Sequence, residues 1–389
     1  MRFLHTADWH VGKTLRGRSR LDEFATALDE VLRIAVEGGV DAVLLAGDVF
    51  DSPVPPPEAE RLVYDFLARL LPEGIACVLI AGNHDHPRRL AALQRLLEGL
   101  RVHVRAEVRP PGDGGVVALS SRDGREQARV AVLPFVPERK IVDACQVMAP
   151  ENEWFEAYAA RIEEILRYLT RDLTPASVNV VLAHLMVHAG LVGTGERALH
   201  LGQVYAVNPQ QLPGNVQYIG LGHLHRPQEV LAPSKTRFAG SLLELDFGER
   251  EQQKSVVLVE AKPGGAAGVE VVPLAAGRRL RDVEGSLAEL AALKPELGDA
   301  HLRVRVRVES PVPGVAEQVK ELLPGALDVS LVCDAASSQV PSGPRPTLRP
   351  VELFRDFYRR KHRADPPAEL LGLFESVLEE AHAPELVRQ

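Results

Sequence analysis

Cysteine is scarce. Cys77, Cys145 and Cys333 are odd in number and far apart, so no disulfide framework is indicated. Long apolar runs are missing as well, and none approaches the ~20 residues of a membrane-spanning helix. The opening Met1-Arg2-Phe3-Leu4-His5 runs into a strand pattern without a signal-peptide core, so a soluble, cytoplasmic protein with no membrane role is expected. Basic charge is not in excess: 45 Lys and Arg against 53 Asp and Glu leave a formal charge of −8. Nucleic-acid binders usually present a basic face, so any such role must rest on local clusters. Arg16, Arg18 and Arg20 form one, and Arg303, Arg305 and Arg307 alternate along another, a pattern more often the wet face of an antiparallel sheet. Internal repeats are absent. The remainder is ordinary globular chemistry, with 46% hydrophobic and 25% charged residues, in a chain long enough for a large α/β domain plus one or two smaller units.

Against that background four short islands stand out, in one order: Asp8-Trp9-His10, Gly47-Asp48, Gly82-Asn83-His84-Asp85 and Gly222-His223-Leu224-His225, with His184 between the last two. Singly they are weak. Gly-Asp and Gly-Asn mark ordinary turns, and a lone histidine is more often a satisfied polar residue than a ligand. Jointly they are strong, because each follows an apolar, strand-like run: Phe3-Leu4, Val43–Leu45, Val78–Ile80, Val180–Leu182 and Tyr218-Ile219. Groups placed just past the carboxyl ends of strands converge on one rim, where open sheets build their sites. Carboxylate, amide oxygen and imidazole suit a hard-to-borderline divalent metal, and seven such groups suit two ions rather than one. No cysteine takes part, which argues against a structural zinc site.

One decoy is set aside. Ala7-Asp8-Trp9-His10-Val11-Gly12-Lys13-Thr14 fits a degenerate nucleotide loop. Asp8 would repel phosphate there, and Trp9 and His10 are too bulky for a cradle of backbone amides. Intrinsic ATP hydrolysis is therefore not expected.

The order Asp-x-His, Gly-Asp, Gly-Asn-His-Asp, His, Gly-His-x-His resembles that of the calcineurin-like metallophosphoesterases. Within them the chain is similar to the SbcD-type nuclease subunits of bacteria, which work with an SbcC-type ATPase. That closer likeness rests on Gly17–Phe24, on Gly240-Ser241-Leu242-Leu243 and on the tail Phe357–His362 followed by Pro366-Pro367. The resemblance implies a four-layered α/β sandwich with a small α+β capping domain and a C-terminal helical tail. It assigns Asp8, His10 and His225 to one metal and Asn83, His184 and His223 to the other, with Asp48 bridging. It also implies two divalent ions, Mn²⁺ first among the candidates, and hydrolysis of DNA phosphodiesters at duplex ends and hairpins. His84 is left as the candidate acid for the leaving oxygen, with Asp85 expected to orient or charge it. Two other classes stay in play: a phosphoesterase for a non-DNA substrate, and a non-catalytic scaffold on the same fold.

Helical spacing over Leu21–Ala35, after Pro55-Pro56-Pro57 to about Leu71, and over Arg88–Leu97 alternates with the first strands, as in an α/β fold. The resemblance implies a symmetric homodimer through the helices near 57–71 and 88–97. One more helix is expected near 152–169. Residues 1–270 are read as the phosphoesterase domain and 271–340 as a DNA-contacting capping domain, with helices near 287–293 and 315–322 and strands at 301–308 and 326–332. Residues 341–350 form a proline-rich linker. Residues 351–389 carry apolar stripes at Leu353–Tyr358 and Leu370–Leu378, beside Arg359-Arg360-Lys361, and are the expected docking segment for the ATPase.

Overall fold

In a computed structural model, residues 1–137, 151–188, 206–308, 314–333, 350–362 and 365–374 are described. The chain opens with parallel strands β1 (Arg2–Thr6), β2 (Ala42–Leu45), β3 (Ala76–Ile80) and β4 (Val102–Arg105). Between them run α1 (Leu21–Glu37), α2 (Pro57–Leu70) and α3 (Pro87–Glu98). Pro57 and Pro87 each open a helix, where the missing N–H costs nothing. The interior of these strands is a continuous apolar run because both faces are covered.

A second sheet contains β5 (Val116–Ser120), β6 (Gln127–Leu133), β7 (Val178–His184), β8 (Tyr218–Gly222), β9 (Gln228–Val230) and β10 (Lys235–Phe238), with α4 (Glu151–Thr170) between β6 and β7. Strands β6, β7 and β8 are parallel, so their carboxyl ends share one edge. The chain then returns to the first sheet through β11 (Ser255–Glu260), antiparallel to β1, and β12 (Gly268–Pro273) at its margin.

Three apolar seams stack these parts into four layers, helix, sheet, sheet, helix. Phe24, Leu28, Phe66 and Leu67 cover one face of the first sheet at Leu4, Val43 and Leu79. Phe3, Leu44 and Val78 meet Val130, Val180 and Tyr218 between the sheets. Ile162 and Leu166 of α4 close the outer face over Val181 and Ile219. Burial of this kind contributes about 25 cal/mol per Å² and drives the stacking.

The third sheet differs from the sequence reading. It is built from β13 (Leu280–Gly285), β14 (His301–Val308) and β15 (Ala326–Cys333), joined through α5 (Leu287–Leu297) and α6 (Val315–Leu322). All three strands are parallel, not antiparallel as the arginine alternation suggests. Strand β13 has no strong sequence signal, since Leu280-Arg281-Asp282-Val283-Glu284-Gly285 holds only two large apolar residues. Its register sets Asp282 opposite Arg303 and Glu284 opposite Arg305. Strand β12 crosses residue 270 and pairs with β11, so it belongs to the large sheet. Ser286 and Glu289 form a reciprocal cap that starts α5.

Residues from Asp334 onward form a separate compact unit. Within it, α7 (Pro350–His362) is followed by a helical turn at 368–374, and the rings of Phe354 and Phe374 stack at 4.3 Å. The expected linker before Pro350 and the stripe's end at Leu378 lie outside the described residues.

Candidate metal centre

Five strand ends meet at one rim. Asp8 and His10 follow β1, Asp48 follows β2, and Asn83, His84 and Asp85 follow β3. His184 ends β7, while His223 and His225 follow β8. All seven expected donors therefore face one place from two sheets. The backbone is forced to bring them there. Asp8, His10, Asp48 and His223 have φ of 50°, 47°, 50° and 103°, in the left-handed region that non-glycine residues avoid. Such strain persists only where the surroundings over-determine it, and it clusters at functional sites. Two glycines allow the closest approaches: a Cβ on Gly82 would sit 2.1 Å from Asp48 Oδ1, and one on Gly222 would sit 1.9 Å from the Ala46 carbonyl.

Tautomers follow from the outer contacts. His225 donates Nδ1–H to Glu249 at 2.8 Å, and His184 donates Nδ1–H to the Ala46 carbonyl at 2.8 Å. Their Nε2 atoms therefore carry lone pairs. The Nε2 of His225 lies 3.1 Å from Nε2 of His10, whose Nδ1 faces the Asp51 carboxylate at 3.4 Å. The Nε2 of His184 lies 2.9 Å from Asn83 Oδ1 and 3.6 Å from Asp48 Oδ2. His223 Nδ1 approaches the same Asn83 oxygen at 3.0 Å. With these tautomers acceptor meets acceptor between His10 and His225, which are buried, and between His184 and Asn83, which are part-buried. A cation between such groups satisfies both at once, and nitrogen, amide oxygen and carboxylate are the donors that divalent ions take. The chain's residues fit two ions.

Asp48 stands in the middle. One donor atom each from His10, Asp48 and His84 lies within 4.8 Å of the others, and so do atoms of Asp8, Asp48 and His184. Burial pushes the imidazole of His10 down to about 4 and that of His223 down to about 3, and it lowers His184 too. The rings are therefore neutral near pH 7 and ready to act as ligands. Burial alone would raise the Asp48 carboxyl, but the facing imidazoles of His184, His10 and His84 outweigh it and bring it to about 2.

His84 is oriented by a group the sequence does not suggest. Its Nδ1 donates to the main-chain carbonyl of Asp51 at 2.8 Å, which leaves Nε2 toward the rim. The expected partner, Asp85, is turned elsewhere: its carboxylate accepts from the amides of Val49, Phe50 and Gly82. It ties the loop after β2 to the loop after β3 and does not charge His84. Its own carboxyl is pushed upward by burial and by the neighbouring Asp48. Glu249 and Asp51, which back His225 and His10, also escape sequence reading, because each is one acid among many outside the islands.

The basic clusters fare differently from expectation. Arg20 is buried and gives a two-pronged pair to Glu23, at 3.1 and 2.8 Å, while His301 meets the same carboxylate at 2.8 Å. Glu23 thereby joins α1 to β14, and Arg20, which also donates to the Glu244 carbonyl, is not offered to a ligand. Arg16 reaches Asp328 at 3.2 Å. Nor is there a nucleotide loop after β1, since the next helix begins only at Leu21. No helix among the described residues is long and apolar enough to cross a membrane.

Comparison with known proteins agrees with this geometry. Residues 1–227 match the model of the calcineurin-like phosphoesterase family, and residues 276–362 match that of the type 5 capsule protein repressor C-terminal domain. The SbcD subunit of the nuclease SbcCD from Bacillus subtilis is 36% identical over 289 residues, covering 72% of this chain and 71% of the relative. Its counterpart of the same name in Rhodobacter capsulatus is 37% identical over 278 residues, or 69% of this chain and 68% of the relative. That of Escherichia coli is 29% identical over 302 residues, or 75% and 73%. The rim occupies the same span as the first family match, and on both grounds the chain belongs to the calcineurin-like phosphoesterases, in the branch of the SbcD nuclease subunits.

Proposed function

We propose that this chain is the nuclease subunit of an SbcCD-type complex and hydrolyses DNA phosphodiesters with two divalent ions, Mn²⁺ being the ion of choice. The observation that carries the reading is the pairing of buried acceptors about Asp48, which calls for two cations side by side. In this reading Asp8, His10 and His225 hold one ion, Asn83, His184 and His223 hold the other, and Asp48 bridges. Two bound ions would supply positive charge for activating water and for offsetting the phosphate. The neutral amide of Asn83 keeps the site more positive than a further carboxylate would, which favours an anionic substrate. His84, held through Nδ1, directs Nε2 to the rim, where a protonated ring gives its proton to the departing oxygen or holds the phosphate. Asp85 acts as a positioning residue for both loops.

Three further parts belong to the same reading. The region expected at 271–340, represented by β13 to β15, caps the site and contacts DNA, although Arg303 and Arg305 of β14 face Asp282 and Glu284 on β13, so any DNA contact there is not a bare basic stripe. Helices α2 and α3 form a symmetric homodimer contact, and Leu96, 70% exposed on α3, is suited to it. Residues 351–389 dock an SbcC-type ATPase by laying apolar side chains such as Leu353 and Leu373, 55% and 62% exposed, into its surface. The second family match ends at residue 362, the last residue of α7, which is consistent with α7 belonging to the working part of the family's C-terminal region.

The test is a cleavage assay with Mn²⁺ on linear duplex and hairpin DNA, beside a small phosphodiester, for the full chain and a chain ending near residue 345. Metal-dependent DNA cleavage by both, with ATPase binding in a pull-down lost only from the shorter, is expected. Hydrolysis of the small ester with intact DNA would overturn the nuclease reading. ATPase binding by the shorter chain would overturn the docking role.

A further inference from the structure

The segment Gly240–Lys254 folds against one metal-facing histidine, His225. Gly240 takes φ +78°, and a Cβ there would lie 2.6 Å from the His225 carbonyl. The amide of Ser241 donates to that same carbonyl at 3.0 Å. Glu249 then places Oε1 2.8 Å from His225 Nδ1. Its Oε2 accepts from Lys254 Nζ at 2.8 Å and from the Leu245 amide at 3.0 Å, with the Ser241 hydroxyl at 3.4 Å. Lys254 Nζ also donates to the His225 carbonyl at 3.0 Å. Glu249, Lys254 and His225 are all buried. The start of the segment is pinned as well, since Glu244 accepts from the Leu280 amide at 2.7 Å. The outer nitrogens of other rim histidines are held differently: His184 and His84 use main-chain carbonyls, and His10 meets the part-exposed Asp51 at a longer distance.

A buried carboxylate with one oxygen on a lysine and the other on an imidazole N–H leaves that ring little choice. The proton must stay on Nδ1, and the ring must keep its plane, so that Nε2 presents a lone pair to the rim. Carboxylates behind metal-bound histidines fix the tautomer and raise the basicity of the ligand. The sequence Gly240-Ser241-Leu242-Leu243, which carries part of the family likeness, also gains a physical purpose: it delivers Glu249 to His225.

We infer that Glu249, paired with Lys254, is a positioning residue that locks His225 with Nδ1 protonated and Nε2 turned toward a divalent ion. This rests on the reading of His225 as a metal ligand. Replacing Glu249 alone strands a buried lysine, so the informative variant is Glu249→Met/Lys254→Met, which removes both charges and keeps the bulk. Two measurements use the full chain. Calorimetric titration with Mn²⁺ alone should show one of two sites weakened about 10–100-fold in the double variant, with the other unchanged. The companion Glu249→Gln/Lys254→Met, whose amide oxygen can accept from Nδ1–H with no lysine left stranded, should recover most of that loss. Nitrogen-15 spectra of metal-free protein, with the His225 signals assigned by their loss in His225→Asn, should show Nδ1–H in the parent and a mixture of tautomers in the double variant.

A double variant that binds both ions as the parent does, with Nδ1–H retained, overturns this inference while leaving the metal reading intact. A parent that takes up no ion pair overturns the metal reading and this inference with it. If the double variant does not fold, the parent spectrum decides by itself: Nε2–H in the metal-free chain overturns the proposal, and Nδ1–H supports it.

Discussion

The rim and the third sheet both concentrate charged and polar groups, and they handle them in opposite ways. On the third sheet the three arginines of β14 each meet an acid within the protein. Arg303 reaches Asp282 at 2.8 Å, Arg305 lies 3.8 Å from Glu284, and Arg307 reaches Glu289 at 2.6 Å, all at the surface. On the rim, imidazole lone pairs and side-chain oxygens face one another in a buried to part-buried place, with Asp8, His10, Asp48 and His223 on left-handed backbone. Compensation inside the chain marks ordinary surface chemistry. Acceptors left facing acceptors mark a place where something positive must come from outside.

The sharpest way to break that contrast is Asp48→Ala. It removes the one carboxylate common to both groups of donors, so both ions should be lost or scrambled and cleavage should fall to background. Two ions bound normally to that variant, in metal analysis of the dialysed protein, would sink the bridging role. Next is His84→Ala, which should slow cleavage by about 10²–10⁴-fold while both ions and DNA binding persist. Loss of an ion would make His84 a ligand instead.

A pH experiment sharpens the comparison from the rim's side. In metal-free protein His5 is held down to about 3, His10 to about 4 and His223 to about 3, in each case chiefly by burial. Unfolded, these rings titrate near ~6.5. Between those values the unfolded chain binds more protons, so stability falls as pH falls. His184 is lowered too and acts the same way, while Asp85, raised by burial and by Asp48, opposes this with one proton against at least three. A net of two protons corresponds to roughly 2–3 kcal/mol of stability lost per pH unit near about pH 5. Urea midpoints of metal-free protein between pH 7.5 and 5 check it, and a flat profile would mean the rings are not buried neutral. At the other extreme, Arg305→Ala on the third sheet should change stability by less than about 1 kcal/mol, because both partners are half in water. A larger loss in the same urea series would show that the sheet's charges matter more than their exposure allows.

The parts legible in sequence are those written in local pattern. The α/β alternation, the seven rim donors and the helices at Pro57, Pro87 and Glu151 all follow from periodicity or from an island just past a strand. What escapes is what depends on partners distant in the chain. Strand β13 is recognised only through its parallel pairing with β14, a partner further along the chain, since Leu280 and Val283 are its only large apolar residues. His84 is oriented by a carbonyl, a group every residue possesses, and Asp85 serves amides rather than the neighbouring ring. Glu249 lies 24 residues from His225 with nothing local to connect them. Arg20, one of a run of surface-looking arginines, is buried because, besides the nearby Glu23, it donates to the Glu244 main-chain carbonyl far along the chain.

The central claim is that two cations complete this rim and that cleavage depends on the pair. The most direct measurement is Mn²⁺ stoichiometry taken alongside cleavage of linear duplex DNA as the ion is titrated into metal-free full-length chain. Two ions per chain are expected, with cleavage rising only as the second is taken up. A single ion per chain, or full cleavage once the first site is filled, would contradict the account.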